Sequence, residues 1–372
     1  MAQSEIHVNV RSPAAGIRIL DVQGKITGSA EDTLFTSCAA AGSNTQAIIL
    51  NLKDVQSIDS LGAGVLIALL ARVRQQGQRL LAYGLSEHCR RAFELTHLDE
   101  AVGLGTDEAA ALRNLLPLAP GPQMEAPVVG SQAVQTVEHS GQWADPVDRL
   151  TIPPVPKKAI NVNTEGRHTT GPVRGFGSLW RRTYAIRLVG SAATPPEVVR
   201  AWKERFASFW PPSGRYYGAD KPIEASDVAL LNLAGPAGMI IATGIRVIYA
   251  NDESFCFISA AGHMFGGMIT FSAHDDNGTS VAQVQALLRA SDPLFEMAVR
   301  LGIATKPEDW FWQGALKNLA AQFGVEGQPV GQQAVLLDSS LQWSKVKNLW
   351  YNAAIRNGLH MPVRWLRGQG AQ

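Results

Sequence analysis

Two spacings of apolar residues alternate through the first 116 positions. Ile6 to Val10, Ile17 to Val22, Ala47 to Leu52 and Arg79 to Gly84 are short apolar or alternating runs, as strands covered on at least one face require. Between them the spacing widens to threes and fours, and helices are predicted over Asp32 to Ala41, from Ser60 to near Gly77, and from Ser86 to about Leu95. The middle helix has the fullest pattern, with Leu61, Val65, Leu69 and Val73 recurring at fours beside Leu66 and Leu70. Gly24 to Gly28 reads as a loop and Ser57 to Ser60 as a turn. Alternating strands and helices predict an α/β module.

The pattern changes after Leu116. Residues 117–171 read as a Pro-rich linker, with Pro153-Pro154-Val155-Pro156 as an extended spacer. Within it, residues 137–151 read as an unstructured stretch, with docking through Trp143 as the alternative. From residue 172 to 330 the order predicts an α+β module. Thr183 to Val189 alternates like a strand, and Thr194-Pro195-Pro196-Glu197 opens a helix with its prolines where missing N–H groups cost nothing. Val198, Trp202, Phe206 and Phe209 make the apolar face of that helix. Strands are predicted over Val228 to Leu233, Met239 to Tyr249, Phe255 to Ala260, Met268 to His274 and Ser280 to Arg289, with a tight hairpin at Asn277-Gly278. Helices follow over Pro293 to Leu301 and Glu308 to Phe323, and residues 331–372 form a basic, aromatic C-terminal segment.

Composition narrows the function classes. A chain of 372 residues exceeds what one core usually organises, and its net charge of +1 gives no field for nucleic acid. Cys38, Cys89 and Cys256 are odd in number, far apart and without a Cys-x-x-Cys pair, which suits a reducing, cytoplasmic setting and suggests no metal centre. The first residues lack the basic start and apolar core of a secretory signal, and no apolar run approaches the 18 or so residues of a membrane span. No P-loop, dinucleotide fingerprint or Ser-His-Asp spacing is present, so neither a cofactor nor catalysis is expected.

The candidate chemistry lies at Asp59-Ser60-Leu61-Gly62-Ala63-Gly64, where an apolar strand turns into the long helix. One hydroxyl stands at a helix N-terminus, either as a plain N-cap worth about 1 kcal/mol or as an acceptor for a phosphate that the converging N–H groups would tolerate. Gly62, Ala63 and Gly64 leave the first turn bare, so another protein's backbone could approach Ser60 closely. Leu-Asp-Val-Gln-Gly-Lys-Ile-Thr early in the chain and Ile-Asp-Ser-Leu-Gly-Ala-Gly-Val-Leu in the middle resemble the STAS domain of bacterial anti-sigma-factor antagonists over about the first 110 residues. The resemblance implies a mixed sheet flanked by helices, with Ser60 phosphorylated by a kinase that doubles as the anti-sigma factor. Asp59 would be its acidic neighbour, and Asp59, Leu61, Gly62, Ala63 and Gly64 would meet the partner. Leu61 stands where many relatives carry a second Ser or Thr. A stressosome-like scaffold is a further partner class that the resemblance allows.

Trp180 to Phe323 resembles the helix-grip, START-like and polyketide-cyclase-like superfamily in element order and in Ser259-Ala260-Ala261-Gly262-His263 before Gly266-Gly267. That resemblance implies a curled antiparallel sheet around a long C-terminal helix, holding an apolar small molecule. Phe257, His263, Phe265, Met268, Trp310 and Trp312 are the candidate lining, with Phe311 between the last two; the alternative is that these rings complete the core. His274 with Asp275 and Asp276 reads either as a metal-ligand cluster or as a solvated hairpin tip. The C-terminal segment has no acid after Asp338, and its Lys345, Lys347, Arg356, Arg364 and Arg367 interleave with Trp343, Trp350, Tyr351 and Trp365. It is expected to pack on the second module through its tryptophans, with an anionic membrane surface as the other reading. Two function classes follow: a non-enzymatic, phosphorylation-controlled regulator with a ligand-sensing second module, or a polyketide cyclase/aromatase-type or lipid-binding enzyme using the STAS module as a docking arm.

Overall fold

The computed structural model describes residues 6–40, 44–115, 142–154, 156, 158–235, 239–303 and 305–366, and side chains as far as residue 359. The N-terminal module runs β1 (His7–Ala14), β2 (Ile17–Ile26), α1 (Glu31–Ala39), β3 (Ala47–Ile58), α2 (Ser60–Gln75), β4 (Arg79–Tyr83), α3 (Glu87–Thr96), β5 (Gly103–Gly105) and α4 (Glu108–Arg113). Its five-stranded sheet is ordered β1-β2-β3-β4-β5. β1 is antiparallel to β2 and the other pairings are parallel, giving a mixed sheet. Leu20, Ile48, Leu50 and Ala82 face α2, while Ile19, Ile49, Leu81 and Tyr83 face α4. β3 continues to Ile58, past the end expected at Leu52, because Gln23 to Ile26 of a longer β2 pair with Asp54 to Ile58. β5 and α4 are too short for periodicity to reveal them.

The second module is built on a nine-stranded antiparallel sheet. Its elements are β6 (Thr169–Thr170), β7 (Leu179–Arg187), α5 (Pro195–Glu204), β8 (Gly214–Tyr217), β9 (Val228–Ala234), β10 (Ile240–Ala250), β11 (Ser254–Ala260), β12 (Phe265–Asp276), β13 (Thr279–Ala290), α6 (Pro293–Arg300), α7 (Thr305–Gln322), β14 (Gly331–Asp338) and α8 (Ala353–Leu366). The order is β14-β7-β13-β12-β11-β10-β9-β8, with β6 on β11. Thr194 and Glu197 form a capping box ahead of the two prolines of α5, and Asn277 and Gly278 take positive φ at the β12–β13 turn as expected.

Alternation along the central strands gives the sheet two apolar faces. On one, Phe255, Phe257 and Phe271 pack with Trp202 and Phe206, the latter after α5, and with Trp312 and Leu316 of α7. On the other, Cys256, Ile258, Met268 and Leu287 join Ile248 and Tyr249 in a core continuous with that of the N-terminal module. A bulge between Val247 and Tyr249 puts both Ile248 and Tyr249 on this second face.

Two expectations about the connecting segments are corrected. Of the expected linker, 117–141, 155 and 157 lie outside the described residues, whereas the described part of 142–171 is a strap bound to both modules. Trp143 and Leu150 are buried, Asn163 donates to the Ala242 carbonyl at 2.8 Å, and Thr169–Thr170 pairs with β11. Polar side chains bonding to backbone hold this strap, and those leave no hydrophobic period to read. At the other end, residues 331–338 belong to the sheet, as β14 on β7. The C-terminal segment does pack, but chiefly through Asn352 and Ala353; of its tryptophans Trp343 only rests one edge on Phe176, at 5.4 Å. Asn352 and Ala353 are fully buried while Trp343 and Trp350 are exposed, and Trp365 lies beyond the described side chains. Among the described residues, no helix is long and apolar enough to cross a membrane.

Candidate functional site

β3 delivers Ile58, Asp59 and Ser60 to the N-terminus of α2. The cap is Asp59, not Ser60: its carboxylate accepts from the Gly62 amide at 2.6 Å, and Ser60 is the first helical residue. The hydroxyl is therefore spared for another role. It is also enclosed, with Ser60 0% exposed and its Oγ 3.4 Å from the Oγ of Ser254 at the start of β11.

The covering surface is the chain's own second module. Trp143 of the strap donates its indole N–H to the Ile58 carbonyl at 2.9 Å and meets Tyr249 of β10 edge to face at 4.9 Å. The seam continues through ion pairs Glu31–Arg181 at 2.5 Å and Arg91–Asp145 at 3.3 Å, and the pair Glu100–Arg174. Gln75 donates to the Leu337 carbonyl at 2.6 Å, and His97 bonds to Thr169 at 3.2 Å.

The glycines explain how the surfaces come so close. At Gly62 a Cβ would be driven into the Ile26 carbonyl, so this glycine admits the module's own β2 rather than a partner. At Gly64 a Cβ would lie 2.9 Å from Cδ1 of Leu287 on β13, so the bare helix surface is occupied by the second module. Ala63 is buried in the core shared by the two modules, and the Leu61 side chain lies over Gly28. The expected close approach to the first turn is thus made from within the same chain.

Electrostatics at the seam are unfavourable to more negative charge. Burial, with a contribution from Glu253, pushes the Asp59 carboxyl up to about 6, against the lowering effect of the Gly62 and Leu61 amides. Burial alone dominates at Cys256, whose thiol is pushed up to about 12, and at His97, which falls to about 3 with help from Arg174.

The proposed apolar-ligand residues are not brought together. Phe257 and Trp312 belong to the packed aromatic face, whereas Met268 lies on the opposite face against the N-terminal module. Phe265 sits in a small separate cluster with Ala286 and Leu288. His263 is buried in the β11–β12 turn, its Nδ1 bonded to the Phe265 backbone, and burial lowers it to about 4. Trp310 is 71% exposed on the outer side of α7. Phe206 alone meets Phe255, Phe257 and Phe271 at 5.7, 5.1 and 5.1 Å, so rings fill the space between sheet and helices. The expectation of one lining set fails because neighbouring strand residues alternate faces. At the hairpin tip, Asp275 accepts from the Gly278 amide at 3.2 Å and Asp276 pairs with Arg187. Among the described residues no group of three or more side chains is placed to hold a metal ion.

Sequence reasoning did not single out Ser254 or Leu287, because β11 and β13 read as ordinary strands. Trp143 was discernible as a large aromatic residue inside a polar, Pro-rich stretch.

Residues 10–111 match the family model of the STAS domain, and the N-terminal module is a STAS domain. Among solved structures, an anti-sigma factor antagonist from Mycobacterium paratuberculosis is 22% identical, covering 31% of this chain and 97% of its own, with a TM-score of 0.28. The phosphorylated form of the Bacillus cell fate determinant SpoIIAA is 17% identical over 29% of this chain and 99% of its own, at a TM-score of 0.26. Protein Ms6760 from Mycobacterium smegmatis is 14% identical over 39% of this chain and 90% of its own, at 0.29. No curated protein matches the chain.

Proposed function

We propose that the chain is a non-enzymatic signalling regulator of the partner-switching kind, whose STAS switch face is held by its own second module. The carrying observation is the enclosure of Ser60, 3.4 Å from Ser254, beneath a core shared by both modules. Ser60 is the phosphoacceptor and Asp59 its acidic neighbour, and a protein partner, an anti-sigma factor with kinase activity or a stressosome-like scaffold, competes with the second module for the α2 face.

Phosphorylation and docking exclude each other. A phosphoserine brings nearly two negative charges, and desolvating even one unpaired charge costs several kcal/mol. Asp59, already raised to about 6 at this seam, adds like-charge repulsion. In the separated STAS module the same phosphate would meet the positive end of α2, so the fold tolerates what the seam does not. Phosphorylation therefore traps the open state, and docking shields Ser60. The packed aromatic face favours a structural role for the second module over catalysis on an apolar substrate.

Leu287→Asp tests the reading, because it buries a charge against Gly64 and should open the seam while leaving each module's other face intact. An anti-sigma-type serine kinase should place one phosphate on Ser60 in this variant, far less in the wild type, and none after Ser60→Ala. Equal incorporation in wild type and Leu287→Asp, or labelling that survives Ser60→Ala, contradicts it.

A further inference from the structure

A second recess lies away from Ser60, where three parts of the chain converge. Glu100 of the STAS module, His168 of the strap, Arg174 in the turn ahead of β7, and Lys345, Lys347 and Trp350 of the C-terminal segment wall a cleft of about 590 Å³. That size is within the range of small-molecule sites.

Its floor is fixed. Asn348 donates to the Arg174 carbonyl at 3.0 Å and to the Ser291 carbonyl at 2.9 Å, and the Ala353 amide donates to the Gly262 carbonyl at 3.0 Å. Gly262, at φ +96°, has no Cβ because the Tyr351 carbonyl occupies that space. The Tyr351 ring is braced by the Arg167 guanidinium at 5.3 Å and edge-on by His168 at 5.5 Å.

The charge here is one-sided. Glu100 is paired with Arg174, which with the nearby Lys345 charge holds its carboxyl below the usual range, and neither Lys345 nor Lys347 makes an ion pair of its own among the described residues. No acidic residue follows Asp338 to balance them. After burial, Arg174, Arg167 and Arg149 all lower the basicity of His168, as a positive local potential must. At the rim stands Trp350, 83% exposed beside these cations. A large ring held in water next to two ammonium groups is suited to covering a flat, negatively charged ligand.

We infer that this cleft binds a small organic phosphate carrying one flat ring, with Lys345 and Lys347 on the phosphate and Trp350 against the ring. Because the walls come from the STAS module, the strap and the C-terminal segment, the ligand also favours the docked arrangement by mass action. The concave shape and fixed floor favour a free small molecule over an anionic membrane, which would need a convex or flat face.

Calorimetric titration of the full-length protein with phenyl phosphate, at low salt because screening weakens the contact, is the test. One saturable site is expected, with inorganic phosphate at least about tenfold weaker. Lys345→Ala and Lys347→Ala should each weaken phenyl phosphate about tenfold, the usual scale for one charge-assisted hydrogen bond. Trp350→Ala should erase the preference over inorganic phosphate, and Lys317→Ala on the exposed side of α7 should change nothing. All four positions are at least partly exposed, and circular dichroism of each variant would verify folding. Absence of saturable binding, binding indifferent to both lysines, or capture by phosphatidylglycerol vesicles without binding of phenyl phosphate would overturn the assignment.

Discussion

Trp143→Ala should loosen the seam between the modules without loosening either module. The indole is 5% exposed and belongs to the core that both modules share, with the Ile58 carbonyl on one side and the Tyr249 ring on the other. Truncating a buried Trp to Ala costs about 3–5 kcal/mol, which includes about 0.5–1.5 kcal/mol for the edge-to-face pair. The Ile58 carbonyl keeps a contact with His88 Nε2 at 3.2 Å, so it is not orphaned and the total should lie toward the lower end. A loss of about 3 kcal/mol, falling on docking, makes opening on the order of 10²-fold more frequent. The native thiols read this out by themselves. Cys256 is fully buried on the sheet face turned toward the STAS module, whereas Cys38 and Cys89 are buried among STAS residues. Labelling the native protein with a maleimide and mapping the modified peptides should show Cys256 reacting on the order of 10²-fold faster in Trp143→Ala, with Cys38 and Cys89 unchanged. Acceleration of all three thiols together would mean global unfolding, and no acceleration would mean that Trp143 does not hold the seam; either refutes the reasoning.

Other consequences follow from the same geometry. Asp59→Asn keeps a competent helix cap but removes a carboxyl whose folded value, about 6, lies above its ordinary 3.8. Its ionisation therefore costs nothing below about pH 4 and is fully felt above about pH 6, so the variant should match the wild type in urea unfolding at pH 4. At pH 7 it should exceed it by no more than about 2–3 kcal/mol; a variant less stable at pH 7 would show the carboxylate to be stabilising. Gly62→Ala should abolish soluble expression or lower Tm sharply because the Ile26 carbonyl cannot yield, whereas Gly64→Ala meets only the flexible end of Leu287 and should shift Tm by a few degrees; equal effects would contradict the two packing environments. A protease site inserted between Ala119 and Gly130 should, once cut, leave two pieces that co-elute in gel filtration, since a shared apolar core holds them; separate elution would show docking to depend on the covalent tether.

The STAS module was legible in the sequence because its signals are local. The fours in Leu61, Val65, Leu69 and Val73 and the apolar run at Ala47 each fix an element regardless of what packs outside it. The antiparallel strands and the hairpin at Asn277-Gly278 were legible for the same reason. What could not be read is which surfaces meet. The bare helix turn at Gly64 was visible as a docking surface, but its occupant, Leu287, is distant in sequence and alternates along a strand like any buried residue. Ser60 looked like a cap because Asp59, one residue earlier, is an equally good one, and only geometry separates them. The aromatic residues of the second module seemed available for a ligand because period-two alternation assigns residues to faces without saying what each face packs against.

Thiol labelling of the native full-length Ser60→Cys variant tests most directly whether the switch face is masked from within. The thiol introduced at this position should be protected from maleimide in the folded protein and react at the same slow rate as Cys256, since one opening exposes both sides of the seam. An introduced thiol that reacts as a solvent-exposed one does, while Cys256 stays protected, would contradict the account.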